Sequence, residues 1–182
     1  MSDIKVAEIK TDTIKNQAGT TAVNINSSGV IIVPNRPAFS VQCNRNSAMS
    51  ASNSFTQSHA STIVTLNQGS HFKTSGSNDG KFVAPFAGLY YFDFQGMTAD
   101  SVNQNSSGTT RMHFTKNGDT ESDRVGRWHY AHHSSNDHAP FSAHEILLLA
   151  ANDAIGVRVT HRYFYSTSGY GGNPTFSGYF IG

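Results

Sequence analysis

Apolar and polar residues alternate in short runs along most of this chain, and turn-forming residues separate the runs. A period of two places one set of side chains on each face of a strand. Phe39-Ser40-Val41 alternates and Thr62–Leu66 is β-branched. Gly- and Asn-rich clusters recur at Ser75–Gly80, Asn103–Gly108, Asn117-Gly118-Asp119 and Ser168–Asn173. Many short strands with turns between them predict a sandwich or barrel. One segment, Glu145–Ala151, has the composition of a helix. It is short, stops at Asn152-Asp153, and precedes the alternating Ile155–Val159. That context predicts a buried strand and a turn.

The first 35 residues have a different texture, with no Phe, Tyr or Trp. Short β-prone runs (Ile4–Ile9, Asp12–Lys15, Thr21–Ile25, Val30–Val33) are punctuated by Asn16-Gln17-Ala18-Gly19 and Asn26-Ser27-Ser28-Gly29. The rhythm is strand–turn–strand. A segment this thin cannot bury a core alone and needs copies of itself or a partner surface. Pro34-Asn35-Arg36-Pro37 closes it and marks a boundary.

Lys81–Phe94 reads KFVAPFAGLYYFDF. Tyr90, Phe92 and Phe94 share one strand face, while Leu89 and Tyr91 lie on the other, with Asp93 beyond them. A strand apolar on both faces lies in a sandwich interior or against another subunit. Gly88 before it supplies a turn or a close backbone approach.

Composition narrows the picture. Charged residues are 14%, aromatics 11%, and the net charge is +1. Disorder predicts fewer aromatics and more net charge. No run of Lys and Arg exists to neutralise a row of phosphates, which argues against nucleic acid as partner. The longest apolar run, Ile146–Ala151, is far short of the ~20 residues that cross a bilayer, so membrane insertion is not expected. The start MSDIKV lacks the apolar stretch of a secretory signal. Cys43 is the single cysteine and cannot form an intrachain disulfide. Folding in a reducing cytoplasm is the expectation.

Phe82, Gly88, Tyr90, Phe92 and Phe94 resemble the second half of the signature of the complement first-component globular head, a family that shares its jelly roll with the tumour necrosis factor ligands. Phe114–Gly118 resembles that family's strand and hairpin turn. Leu147–Leu149 with Asn152–Val157 resembles its leucine-rich strand, turn and valine strand, and Thr175–Phe180 its closing strand. Thr120–Ala143 has no counterpart in that pattern. The resemblance implies an all-β, ten-stranded jelly-roll sandwich over residues 36–182 that assembles as a homotrimer. Tyr90, Phe92, Phe94, Phe176 and Phe180 are candidates for the three-fold packing or for the sandwich core. Ile9–Asn16 and Gly19–Ile25 resemble the β-rich leader of appendage and fibre proteins of tailed bacteriophages, marine ones above all. That likeness implies that residues 1–35 attach to other virion proteins or form a β-stem. The protein is then a virion knob folded in the bacterial cytoplasm, serving decoration or adhesion to a host glycan or protein. The alternative is a secreted trimeric recognition module of a cellular organism.

Five of nine histidines fall between His129 and His144. Their spacing matches no zinc motif. The commoner reading is a polar surface loop. Arg127, Trp128, His129, Tyr130, His132 and His133 are candidates for a recognition loop, because Trp, Tyr and Arg anchor interfaces. Ser134, Asp137 and His138 are too close in sequence to form a triad without a scaffold. Glu121 and Asp123 read as a solvated loop rather than a calcium site. Tyr163, Tyr165 and Tyr170 lie in a Gly-rich connection. No catalytic residue, metal or cofactor is expected.

Overall fold

The computed structural model describes residues 13–15, 17–19, 21–33, 35–42, 53–54, 63–97, 108–133, 140–160 and 174–182. Two compact units divide the chain, Met1–Arg36 and Pro37–Gly182.

In the first unit, β1 (Thr13–Lys15), β2 (Thr21–Ile25) and β3 (Ile31–Ile32) form one antiparallel sheet in chain order. Asn26 builds the second turn, its Oδ1 accepting from the Ser28 and Val30 amides at 3.0 and 2.9 Å. Ile14, Val30, Ile31 and Val33 are exposed within the unit. The expected run Ile4–Ile9 lies outside the described residues.

The second unit holds ten described strands in two antiparallel five-stranded sheets, the jelly-roll sandwich expected. The first sheet runs β11 (Pro140–Leu149), β8 (Gly88–Met97), β13 (Thr175–Phe180), β4 (Ala38–Gln42), β6 (Ile63–Gln68). The second runs β10 (Arg124–His133), β9 (Gly108–Lys116), β12 (Ala154–Thr160), β5 (Asn53–Ser54), with β7 (Phe82–Val83) also on β12.

Aromatic residues fill the space between the sheets. Phe39 stacks on Phe72 and Phe82, at 5.2 and 5.1 Å between ring centres, and meets Phe176 edge-on at 4.8 Å. Phe92 of the first sheet reaches Phe114 of the second at 6.2 Å. Each such ring removes some 150–250 Å² from water, so this web is the main cohesion of the sandwich. The one hydroxyl among these rings is satisfied, because Tyr90 donates to the Phe86 carbonyl at 2.8 Å. The C-terminus is tied down as well: the Leu89 amide donates to the Gly182 carbonyl at 2.6 Å, and the Ile181 amide to the Leu89 carbonyl at 2.8 Å. Gly88 (φ +153°) opens β8 and gives the Phe180 ring a bare backbone to lie on.

The turn joining β11 to β12 interlocks with the end of β9. Asn117 Nδ2 donates to Asp153 Oδ1, and Asn117 Oδ1 accepts from the Ala154 amide, both at 2.8 Å. Burial works against the charge on Asp153. Hydrogen bonds from Asn117, the Ala150 amide and Lys116 outweigh it and hold the carboxyl below its usual range.

The helix-prone segment is strand, but the expectation that it is buried needs correction. Only alternate residues of β11 face the core. Leu149 is buried while Ile146 and Leu148 are 59% and 75% exposed.

Candidate functional site

Two outward faces of the sandwich carry the candidate residues. On the first sheet, Tyr90, Phe92, Phe94 and Phe176 point inward and are fully buried within the chain, and Phe180 packs against them. Tyr90, Phe92, Phe94 and Phe176 belong to the intrachain core, and Phe180 is partly buried at its margin. The opposite face is apolar at one end. Cross-strand pairs Leu148–Leu89, Ile146–Tyr91 and Tyr179–Tyr91 run without a break over β11, β8 and β13. The Tyr91 and Tyr179 rings lie 5.3 Å apart. Leu89, Ile146, Leu148 and Tyr179 are all exposed. One rung along, the face turns polar, where Asp93 sits opposite both His144 and Ser177. Burial raises the Asp93 pKa, against a hydrogen bond from Gln95 at 2.9 Å and the nearby His144.

On the second sheet the expected recognition loop is a strand. Arg127, Trp128, His129, Tyr130, His132 and His133 all lie on β10. This corrects the loop reading. His129 to His133 pair residue by residue with Met112 to Gly108 of β9, and that ladder leaves no loop. What breaks the alternation is a bulge: the register jumps between Val125 and His129, with Gly126 at φ +70°. Few residues other than glycine adopt that conformation readily, and a Cβ there would sit 2.7 Å from the Glu145 carboxyl carbon.

The bulge sends its side chains in different directions. Trp128 turns outward and meets the His113 ring edge-on at 4.4 Å. The guanidinium carbons of Arg111 and Arg124 stand 5.7 and 5.5 Å from the Trp128 ring centre, within cation–π range. Tyr130, paired with Arg111, is 55% exposed on the same face. His129 turns inward, against Phe114 at 6.2 Å. Its Nε2 lies 3.4 Å from Glu145 Oε1, at ion-pair distance but off hydrogen-bond alignment. Arg127 also reaches Glu145 Oε1, through its amide at 3.0 Å and its Nε at 3.2 Å. Glu145 of one sheet thus gathers β10 of the other and closes that edge of the sandwich. Burial lowers the His129 pKa, opposed by the Glu145 carboxylate.

His113 is fully buried, and among the described residues neither ring nitrogen has a well-aligned hydrogen-bond partner, although the Thr120 carbonyl lies close enough to act on the ring. Burial lowers its pKa first. The Arg158 and Arg124 guanidiniums add to that, while the Thr120 carbonyl and Glu121 oppose it. The segment Asn117–Asp123 covers this floor. Lys81 Nζ holds Asp119 Oδ2 at 3.1 Å, and Arg158 donates to the Asp119 carbonyl. Glu121 and Asp123 belong to a single 3-10 turn rather than an open loop. Asp123 Oδ2 is occupied by the Thr120 amide and hydroxyl, at 2.8 and 2.6 Å.

Of the histidines in this stretch, His129, His132 and His144 do not form one cluster. His129 faces the core, His132 bonds Thr109 Oγ1 at 3.0 Å, and His144 lies on the other sheet. Among the described residues no group of three His, Cys, Asp or Glu could hold a metal ion. Cys43, Ser134, Asp137, His138, Tyr163, Tyr165 and Tyr170 lie outside the described residues. Sequence reasoning missed Arg111, His113 and Arg124. Their alternation with Thr110, Met112 and Val125 marked an outward face, but nothing linear joined them to Trp128.

A C1q domain model matches residues 38–181. Among solved structures, the globular domain of zebrafish complement 1qA protein is 18% identical with a TM-score of 0.58, covering 81% of this chain and 98% of that one. Murine APRIL is 10% identical (TM-score 0.56), covering 80% of this chain and 99% of that one. Eiger TNF from S. frugiperda is 13% identical (TM-score 0.56), covering 81% and 93%. At these identities the likeness is one of fold. No curated protein matches the chain.

Proposed function

The chain belongs to the C1q domain family, and we propose that it works as a non-enzymatic, homotrimeric recognition module, the knob of a bacteriophage particle. The observation that carries the trimer is the exposed apolar face over Leu89, Tyr91, Ile146, Leu148 and Tyr179. A contiguous apolar patch on a sheet is costly to leave in water and marks an interface. Two further copies of the same chain are its occupants, as the family resemblance implies. Cyclic symmetry presents this patch once per subunit around a shared axis.

Residues 1–35 are the attachment segment. Their thin three-stranded sheet leaves Ile14, Val30, Ile31 and Val33 exposed. Virion proteins or the same segment of two other copies would cover them. In this reading the protein folds in the bacterial host cytoplasm and resides on the virion, where it decorates the particle or contacts the host surface. A second reading, a secreted recognition module of a cellular organism, is favoured by one observation: the three solved relatives named above come from animals.

Light scattering on a sizing column tests the first claim. The expected mass is three times the 19.7 kDa chain; a single-chain mass overturns the trimer. Deleting residues 1–35 tests the second. The expected outcome is a trimeric head that no longer joins particles, and a truncated protein that still incorporates overturns the attachment role.

A further inference from the structure

We propose that the outward face of the second sheet, centred on Trp128, binds an acidic saccharide strand. This assignment rests on the recognition reading above and adds a ligand class and a place.

The site is built from three strands. Arg111 stands on the rung of Tyr130, and Arg124 on the rung of Thr115. Those rungs are four residues apart on β9, roughly 13 Å along the strand. From both ends the guanidiniums reach toward one indole ring. Arg124 spends one N–H on the Gly126 carbonyl at 2.7 Å and has no carboxylate at ion-pair distance among the described residues. The remaining N–H groups of Arg124 can therefore take an anion beside the ring. On the same sheet, among the described residues, the His113 nitrogens, Thr115 Oγ1 and Arg158 Nε are buried without a well-aligned hydrogen-bond partner.

The shape of the charge selects among anions. Asp119 and Asp123 are engaged within the 117–123 segment, and the exposed Glu121 stands beside His113 at the margin of the face. A duplex needs a continuous row of phosphate contacts and would meet these carboxylates. A saccharide needs less: an aromatic ring for its C–H face and a guanidinium fork for each carboxylate or sulfate. Trp128 and Tyr130 supply the first, and Arg111 and Arg124 the second. All four stand on paired strands, so little ordering is needed on binding.

Trp128 is the only tryptophan in the sequence, so its emission reports on this face alone. The experiment titrates the full-length protein with an oligoguluronate. Neutral dextran of equal length and a short DNA duplex serve as comparisons. The expected result is a saturable change in Trp128 emission with the polyuronate and none with dextran. Arg124→Ser should weaken the apparent affinity roughly 10-fold or more. Arg111→Gln gives the same test should the first variant lose its folded spectrum. An unchanged emission, an equal response to dextran, tighter binding of DNA, or two folded variants that bind like the parent each overturn the assignment. Attachment to cells or particles without a polyuronate response overturns the ligand class and leaves the recognition module standing.

Discussion

The two sheets of the sandwich share one interior but finish their outer faces by different means. On the first sheet the outward rungs hold Leu148–Leu89 and Ile146–Tyr91, and among the described residues Leu89, Ile146 and Leu148 stay exposed. On the second sheet the chain covers its own outer face. Trp128 lies on His113, and the 117–123 segment is pinned by Lys81 and Arg158. Under the proposed trimer the first outer face receives further chains, and under the proposed saccharide site the second receives a ligand.

The largest expected effect treats both faces alike. Phe92 is fully buried, and its ring meets Phe39, Phe82, Phe114 and Phe176 from both layers. Phe92→Ala should cost about 3–5 kcal/mol, read as a lower denaturant midpoint with both faces lost together. A midpoint within experimental error of the parent would mean that the sheets do not depend on this shared interior.

The second effect separates the faces. Leu148→Asp places a charge at the most exposed side chain of the apolar patch, while Tyr130→Asp places the same charge on the second sheet, also at an exposed position. A carboxylate buried at an interface without a partner costs several kcal/mol. The expected outcome is a trimer dissociation constant raised roughly 100-fold or more by Leu148→Asp, with the β-sheet circular dichroism retained. Tyr130→Asp should leave the mass unchanged. Equal loss of mass in both variants would erase the distinction drawn between the faces.

The sequence carried the sandwich more clearly than its surfaces. Tyr90, Phe92 and Phe94 alternate, and local alternation is enough to place three rings on one face. It was also enough to see that Leu89 and Tyr91 form a second apolar face, whose neighbours Ile146 and Leu148 were read as buried. The sequence of β11 cannot tell a face covered by its own chain from one left open. β10 was misread for a related reason. Its polar and aromatic residues lose strict alternation at Gly126–Trp128, where the bulge adds residues that β9 does not match. Without the ladder to β9, that irregularity reads as loop. The ion-pair joint at Glu145 is invisible in sequence because Arg127, its main partner, stands 18 residues away. Likewise, Arg111 and Arg124 meet Trp128 only once β9 and β10 are paired.

The smallest effect is a difference in the response of the two faces to acid. His113, under Trp128, has its pKa lowered by burial and by the Arg158 and Arg124 guanidiniums, against the Thr120 carbonyl and Glu121. The unfolded chain takes up this proton near the ordinary value of about 6.5, while the folded chain resists it. Stability from this histidine is therefore complete above that value and is lost as pH falls below it, with a slope of up to about 1.4 kcal/mol per pH unit. His129, also lowered by burial, adds loss in the same direction. Asp93 on the first sheet has its pKa raised by burial, so its folded form takes up a proton more readily than the unfolded chain. That term favours the folded state as pH falls through the raised value. Thermal melts between pH 7.5 and 4 should show Tm falling below about pH 6.5. His113→Phe, which keeps a ring against Trp128, should flatten that fall, whereas Asp93→Asn should steepen its lower part. A His113→Phe profile parallel to the parent would mean that the buried ring is as easily protonated in the folded chain as in the unfolded one, and the second sheet's cover would then be looser than its contacts imply.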